Sequence, residues 1–228
     1  MQPWQTLDSI ATADGLLELR RRAADDFLIT IDGRVLMNSR AQASEVGLAR
    51  LACRPIASRR TPRVLIGGLG MGCTLRAALT ELPRDARVVV AELTPQVVDW
   101  CSGPLADVNA GALRDPRCEV RVEDVADTVA STVATAAGKP AYDAVMFDLY
   151  EGPAASGDRL FGRRALERVR AVLRPGGVFA IWSEGVTPGF ERRLELSGYA
   201  VERRRLGRGG LRHVVYLARQ KAAKAGAE

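Results

Sequence analysis

The run Arg63-Val-Leu-Ile-Gly-Gly-Leu-Gly-Met-Gly-Cys73 constrains this chain more than any other stretch. A short apolar segment leads into a glycine cluster and then into residues 74–82, whose composition suits a helix. Gly67 closes the apolar segment, and Gly68, Gly70 and Gly72 alternate after it. Residues without a Cβ let the backbone turn sharply and lie flat against a ligand. A second apolar segment, residues 87–91, ends in Glu92. An acid in that position is placed to accept hydrogen bonds from both hydroxyls of a ribose. Strand, glycine turn, helix, strand and acid predict a nucleoside-binding half-fold. A βαβ turn that holds no ligand is the plainer reading of the same pattern.

Beyond residue 63, strand and helix signals alternate. Strands are expected at 63–66, 87–91, 119–122, 144–147 and 178–181, and helices at 74–82, 95–100, 125–137, 163–173 and 188–196. Thr94-Pro95 and Thr187-Pro188 each place a capping residue before a proline at the first helical position. Residues 201–205 and 211–217 flank a glycine-containing turn and predict an antiparallel hairpin. The pattern is that of an α/β chain: a doubly wound, Rossmann-like, mostly parallel sheet with a C-terminal antiparallel hairpin.

Upstream, Phe27, Ile29 and Ile31 alternate, and Asp32-Gly33 supplies a two-residue hairpin turn. A small N-terminal β-hairpin module is expected, followed by a helix at 41–52 capped by Asn38 or Ser39. The chain divides into an N-terminal module at 1–55, a Rossmann-like nucleoside-binding domain at 56–220 and a frayed tail at 221–228.

At 228 residues and 47% hydrophobic, the chain has material for a full core without disulfides or a structural metal. Cys53, Cys73, Cys101 and Cys118 form no CxxC pair and read as reduced thiols. His213 is the single histidine, which disfavours a Ser-His-Asp triad or a histidine zinc site; an ordinary strand residue is expected there. No apolar run reaches the length of a membrane span, and the first residues lack a signal-peptide pattern, so a cytoplasmic location is expected. The net charge of +6 comes mostly from arginines in short groups without interleaved aromatics. That favours a solvated basic surface over a nucleic-acid groove.

Taken in order, these motifs resemble the spermidine synthase family, within the S-adenosylmethionine methyltransferase superfold. Residues 29–40 are similar to the family's N-terminal hairpin, Gly67-Gly-Leu-Gly-Met-Gly72 to its glycine loop, and Glu92 to its ribose-binding acid. Gly111-Ala-Leu-Arg-Asp-Pro-Arg117 followed by Asp124 resembles the segment that ends in an adenine-binding aspartate. Tyr142-Asp-Ala-Val-Met-Phe-Asp148 resembles the strand that ends in a catalytic aspartate. The resemblance implies a donor that is S-adenosylmethionine or its decarboxylated form, a small amine acceptor, no metal and a homodimer.

Three departures bear on that implication. Gly70 stands where the family's aminopropyltransferases carry an aspartate that pairs with the ammonium of the decarboxylated donor. Its loss removes both that attraction and a repulsion of the carboxylate of S-adenosylmethionine, which moves the expected preference towards S-adenosylmethionine and methyl transfer. The family's acidic pair at the amine site reads here as Asp148 and Glu151. The tyrosine-histidine-glutamate patch reads Ala43-Ser-Glu-Val46, without tyrosine or histidine.

Within this frame Asp148 is the expected base for the amine, Glu151 holds the acceptor and Tyr150 walls the pocket. Asp148 also fits a cap after a strand, Asp124 a helix cap before Val125, and Glu151 and Tyr150 an exposed loop. Trp182 fits either the acceptor pocket or the core. Genuine aminopropyl transfer, a non-catalytic nucleoside-binding protein and a nucleic-acid methyltransferase are the alternatives. An NAD-dependent oxidoreductase is disfavoured because Cys73 takes the place of the third dinucleotide-fold glycine or alanine.

Overall fold

A computed structural model of the chain describes residues 2–135, 139–149, 153, 157–206 and 213–220. The N-terminal part is larger than the expected hairpin. Four strands, β1 (Gln5–Thr12), β2 (Gly15–Ala23), β3 (Asp26–Ile31) and β4 (Arg34–Asn38), form an antiparallel sheet in that order. The turn between β3 and β4 is the expected one: Asp32 at φ 45° and Gly33 at φ 78° give the twist that matches paired strands. β3 is buried at all six positions. Leu17, Leu19, Phe27, Ile29 and Ile31 turn inward and join the core of the main sheet.

Helix α1 (Ala43–Cys53) starts later than residue 41, and neither expected cap holds it. Ser39 Oγ instead donates to Asp25 O at 2.8 Å and accepts from Phe27 N at 2.9 Å, while Asn38 Oδ1 accepts from Arg40 N. Both side chains stitch the end of β4 rather than the helix.

The main sheet contains β5 (Arg63–Gly67), β6 (Arg87–Glu92), β7 (Cys118–Val122), β8 (Tyr142–Phe147), β9 (Leu173–Ser183), β10 (Tyr199–Leu206) and β11 (His213–Gln220). Their spatial order is β10-β11-β9-β8-β5-β6-β7. The run from β9 to β7 is parallel, and β11 lies antiparallel between β9 and β10. The chain winds outward from β5 through β6 to β7, then returns to β8 on the other side of β5. This reversal opens a crevice beyond the carboxyl ends of β5 and β8, where ligands of open α/β sheets bind.

Helices α2 (Cys73–Glu81), α3 (Pro95–Ser102), α4 (Val125–Thr135), α5 (Gly157–Phe161), α6 (Arg163–Val172) and α7 (Phe190–Leu196) cover the two faces. One core layer joins α1, α2 and α3 to the N-terminal sheet. The other is aromatic: Phe147 meets Phe161 and Phe179 edge-on, and Phe190 meets Phe161 and Tyr216 likewise. Several expected boundaries moved. Leu173 leaves the helix to pair with Tyr142, and α7 begins after Gly189, whose φ of 74° replaces the expected Thr187-Pro188 start. Among the described residues no helix is long and apolar enough to cross a membrane.

Candidate functional site

A cavity of about 420 Å³ occupies the crevice, with the N-terminal sheet as its roof. Leu17, Ile29, Ile31, Leu36 and Met37 are the apolar side chains that this roof turns to the cavity, beside the apolar residues of the main sheet and its loops. Five acids also line it: Asp14, Glu45, Glu92, Asp124 and Asp148. No lysine, arginine or histidine is among its described lining residues.

The four glycines of the loop divide by role. Gly68 (φ 91°) and Gly70 (φ 53°) line the cavity in the left-handed region that favours glycine. A Cβ on Gly68 would collide with the carbonyl oxygen of Asp148, so the loop lies directly against the end of β8. A Cβ on Gly70 would meet the sulfur of Met37, and that thioether fills the space a longer side chain would need. Gly67 and Gly72 are not brought to the cavity wall. Gly67 makes room for Val125, and Gly72 caps α2 against Asn109.

Glu92 ends β6 and is buried, with 8% of its surface exposed. Its Oε2 accepts from Leu69 N at 2.8 Å and its Oε1 from Thr94 N at 2.9 Å. Burial raises its pKa, and the backbone N–H groups of the glycine loop partly offset the rise. Glu92 also lines the cavity, where its carboxylate is an acceptor for hydroxyl donors. Asp124 serves as the cap it resembles in sequence: Oδ1 accepts from Ala126 N at 2.7 Å. Its Oδ2 pairs with Arg159 at 3.0 Å, and the residue also lines the cavity.

Asp148 follows β8 at the cavity floor. Its Oδ2 accepts from Thr74 Oγ1 at 2.5 Å, while burial and the nearby Glu45 carboxylate push its pKa up to about 7. The expected partner acid, Glu151, and the expected wall, Tyr150, lie outside the described residues. Glu45 is the acid the structure brings to Asp148, and reading the sequence for site residues missed it. It sits in the first turn of α1, 8% exposed, and accepts from Ser44 Oγ at 2.6 Å. The sole signal was its place in the Ala43-Ser-Glu-Val46 patch.

His213 opens β11, a strand residue as expected, and its Nδ1 also bonds Ser44 Oγ at 2.8 Å. Its ring lies against Trp182, with centroids 4.9 Å apart. Trp182 does line the cavity, and its buried indole N–H has no hydrogen-bond partner.

The model of the spermine/spermidine synthase domain matches residues 51–188, more than half of the chain and all of the strands that bear the crevice. The chain belongs to the spermine/spermidine synthase family. A polyamine aminopropyltransferase of Synechococcus sp. (strain JA-3-3Ab) is 34% identical over 123 residues, which cover 52% of this chain and 36% of that protein. The matched region thus spans little more than a third of that relative. Among solved structures, spermidine synthase in complex with the transition-state analogue AdoDATO superposes with a TM-score of 0.72 at 17% identity, over 93% of this chain and 71% of the other. Human methyltransferase-like protein 13 in complex with SAH gives 0.61 at 20% identity, over 81% and 83%. At those identities the two structures show a shared fold. In this spermine/spermidine synthase family member, the cavity sets Met37 against Gly70 and brings Glu45 and Asp148 together.

Proposed function

We propose that this family member transfers an aminopropyl group from decarboxylated S-adenosylmethionine to a small cationic amine. The observation that carries the reading is the cavity wall with five acids, Asp124 alone of them in a described ion pair, and no cation among the described lining residues. A wall of one sign inside a low-dielectric crevice concentrates cationic ligands and opposes anionic ones. S-adenosylmethionine brings a carboxylate and its decarboxylated form does not. Glu45 and Asp148 thereby restore the negative field that the glycine at position 70 gives up, and the preference for S-adenosylmethionine argued from Gly70 alone is revised. Met37 supports that revision, because it already occupies the space beside Gly70. The relatives named polyamine aminopropyltransferases favour the same reaction.

The donor supplies a carbon made electrophilic by a neighbouring sulfonium. In this reading the chain's own residues hold and orient. Glu92 accepts from the ribose hydroxyls, Asp124 faces the adenine amino group, and the bare backbone at Gly68 and Gly70 lets the donor lie close. Asp148, poised near neutral pH, takes a proton from the attacking amine, and Glu45 balances the acceptor's charge. The apolar wall of Leu17, Ile29, Ile31 and Leu36 fits the methylene chain between the charged ends of an amine. A phosphate-rich acceptor fits poorly, since the same five acids would repel it.

Calorimetric titration with the two donors tests the proposal. The decarboxylated donor is expected to bind at least about tenfold tighter, the effect of one like-charge contact at partial burial. Tighter binding of S-adenosylmethionine would overturn the reading in favour of methyl transfer. Donor binding without turnover of any diamine would make the chain a non-catalytic nucleoside-binding protein.

A further inference from the structure

We propose that Ser44 and His213 form a proton path that connects the Glu45–Asp148 acid pair to the outside of the cavity, with His213 as the terminal acceptor. The inference rests on the amine-transfer reading above and concerns what becomes of the proton. When the amine nitrogen bonds to the donor carbon, the carbon–sulfur bond breaks and its electron pair stays on sulfur, which becomes neutral. The nitrogen then carries an extra proton and the positive charge. A carboxylate of the acid pair takes that proton, and the next cycle requires the pair to lose it again.

The cavity lining offers no described basic group to receive it. From Glu45 a hydrogen-bonded chain leaves the wall towards an imidazole. Glu45 Oε2 lies 2.6 Å from Ser44 Oγ, and Ser44 Oγ lies 2.8 Å from His213 Nδ1. Glu45 is a lining residue, whereas Ser44 and His213 are not. Ser44 is buried with 3% exposed and His213 is half-buried, so the chain runs from the wall through a dry hydroxyl to an imidazole that meets solvent. A hydroxyl both donates and accepts, so Ser44 passes its own proton to His213 Nδ1 as it takes one from Glu45. The imidazole then releases a proton from its other nitrogen, and no oxidant or co-reactant is needed.

The packing keeps this path in place. Trp182 of β9 lies against the imidazole, and Leu206 of β10 pairs with His213 in the sheet. Leu206 also rests where a Cβ on Gly47 would sit, so α1 approaches the hairpin closely enough for Ser44 to reach across. Glu45 is the charged group on the hydrogen-bonded chain from α1. On β10, Arg203 pairs with Glu191 and Arg204 with Glu202, and Arg205 is exposed. At the end of β9, Glu184 pairs with Arg34.

His213 is the single histidine, so its ring resonances report the path directly by NMR. With no substrate present, its ring nitrogen resonances are expected to move in Ser44→Ala, which removes the Nδ1 partner, and in Glu45→Gln, which replaces the carboxylate that Ser44 donates to. Ring resonances identical in all three proteins would overturn the proposal. In turnover with the decarboxylated donor and a diamine, His213→Gln is expected to lower kcat about tenfold with the donor KM unchanged. Imidazole in the buffer is expected to rescue His213→Gly. An unchanged kcat in His213→Gln would refute the path alone. A wild type that turns over no amine would refute the transfer reading and leave the ring resonances to decide the path. Glu45→Gln is nearly isosteric, so that comparison stands even where a His213 variant fails to fold.

Discussion

In the proposed transfer, Asp148 joins chemistry to stability in one side chain. The folded protein holds its proton up to about pH 7, against an ordinary carboxyl near 3.8, because burial and Glu45 both disfavour the charge. A raised carboxyl pKa means the folded state binds the proton more tightly than the unfolded chain. The contribution is therefore fully present below about pH 4 and is lost as pH rises through about 7. Asp148→Asn removes the titrating charge while keeping the shape. It is expected to stabilise the ligand-free protein by on the order of 2 kcal/mol at about pH 8 and by much less at about pH 5, while abolishing turnover. Urea unfolding at the two pH values checks this, and an equal effect at both would show that the carboxyl is not the strained group. The same scale shows where reading the sequence runs out. Glu92 was legible because the distance from a glycine turn to the end of the next strand is set by the βα unit. Glu45 and His213 were not, since their roles depend on a hydrogen bond between Ser44 and a residue 169 positions away. Gly70 was legible as a missing acid, but the Met37 thioether that fills its place comes from a strand of another sheet.

Elements were legible where burial imposes a period. The strands β5, β6 and β8 are nearly continuous apolar runs because both faces are covered, and all were expected within two residues at each end. β1 escaped because Gln5–Thr12 is an edge strand, exposed or half-buried throughout, so no apolar alternation marks it. The beginning of β9 escaped because Arg174-Pro-Gly-Gly177 carries turn residues inside a strand. β1 nevertheless has a task. Asp8 Oδ2 accepts from Trp100 Nε1 at 2.7 Å and from the Gln96 side chain, which ties the roof to α3. The Trp100 bond, a backbone bond from Ser9 and the Gln96 bond hold the Asp8 carboxyl below its ordinary value, so the tie weakens as pH falls below about 4. Asp8→Ala is expected to speed amide exchange in β1 and β2 while leaving β5 and β8 protected. It is also expected to weaken donor binding several-fold, because Thr12, Ala13 and Asp14 at the hairpin tip line the cavity. Unchanged exchange in β1 would show that its pairing with β2 alone seats the roof.

Over the whole molecule, stability and chemistry are gathered at opposite ends of the parallel strands. The cavity lies beyond the carboxyl ends, where Gly68, Glu92 and Asp148 emerge. At the amino ends a single buried acid, Asp143 on β8, gathers three segments. Its Oδ1 meets Arg59 of the connection before β5 at 2.7 Å, and its Oδ2 meets Arg63 N at 2.8 Å and Arg174 of β9 at 2.9 Å. Both guanidinium groups are about one-third exposed, at 30% and 33%, so water softens the loss when the acid is removed. Breaking a fully buried pair costs about 3–5 kcal/mol, and the screened arginines bring the expected loss for Asp143→Ala to about 2–3 kcal/mol. The same substitution should leave donor affinity within roughly a factor of two, because the strand ends that bear the site are held independently by their ladder and by the aromatic layer behind them. Thermal unfolding and calorimetry on one preparation measure both quantities. A lowered Tm with intact affinity is the expected pair. Affinity lost in proportion to stability would mean that the two ends of the sheet open together, and that the site has no rigidity of its own.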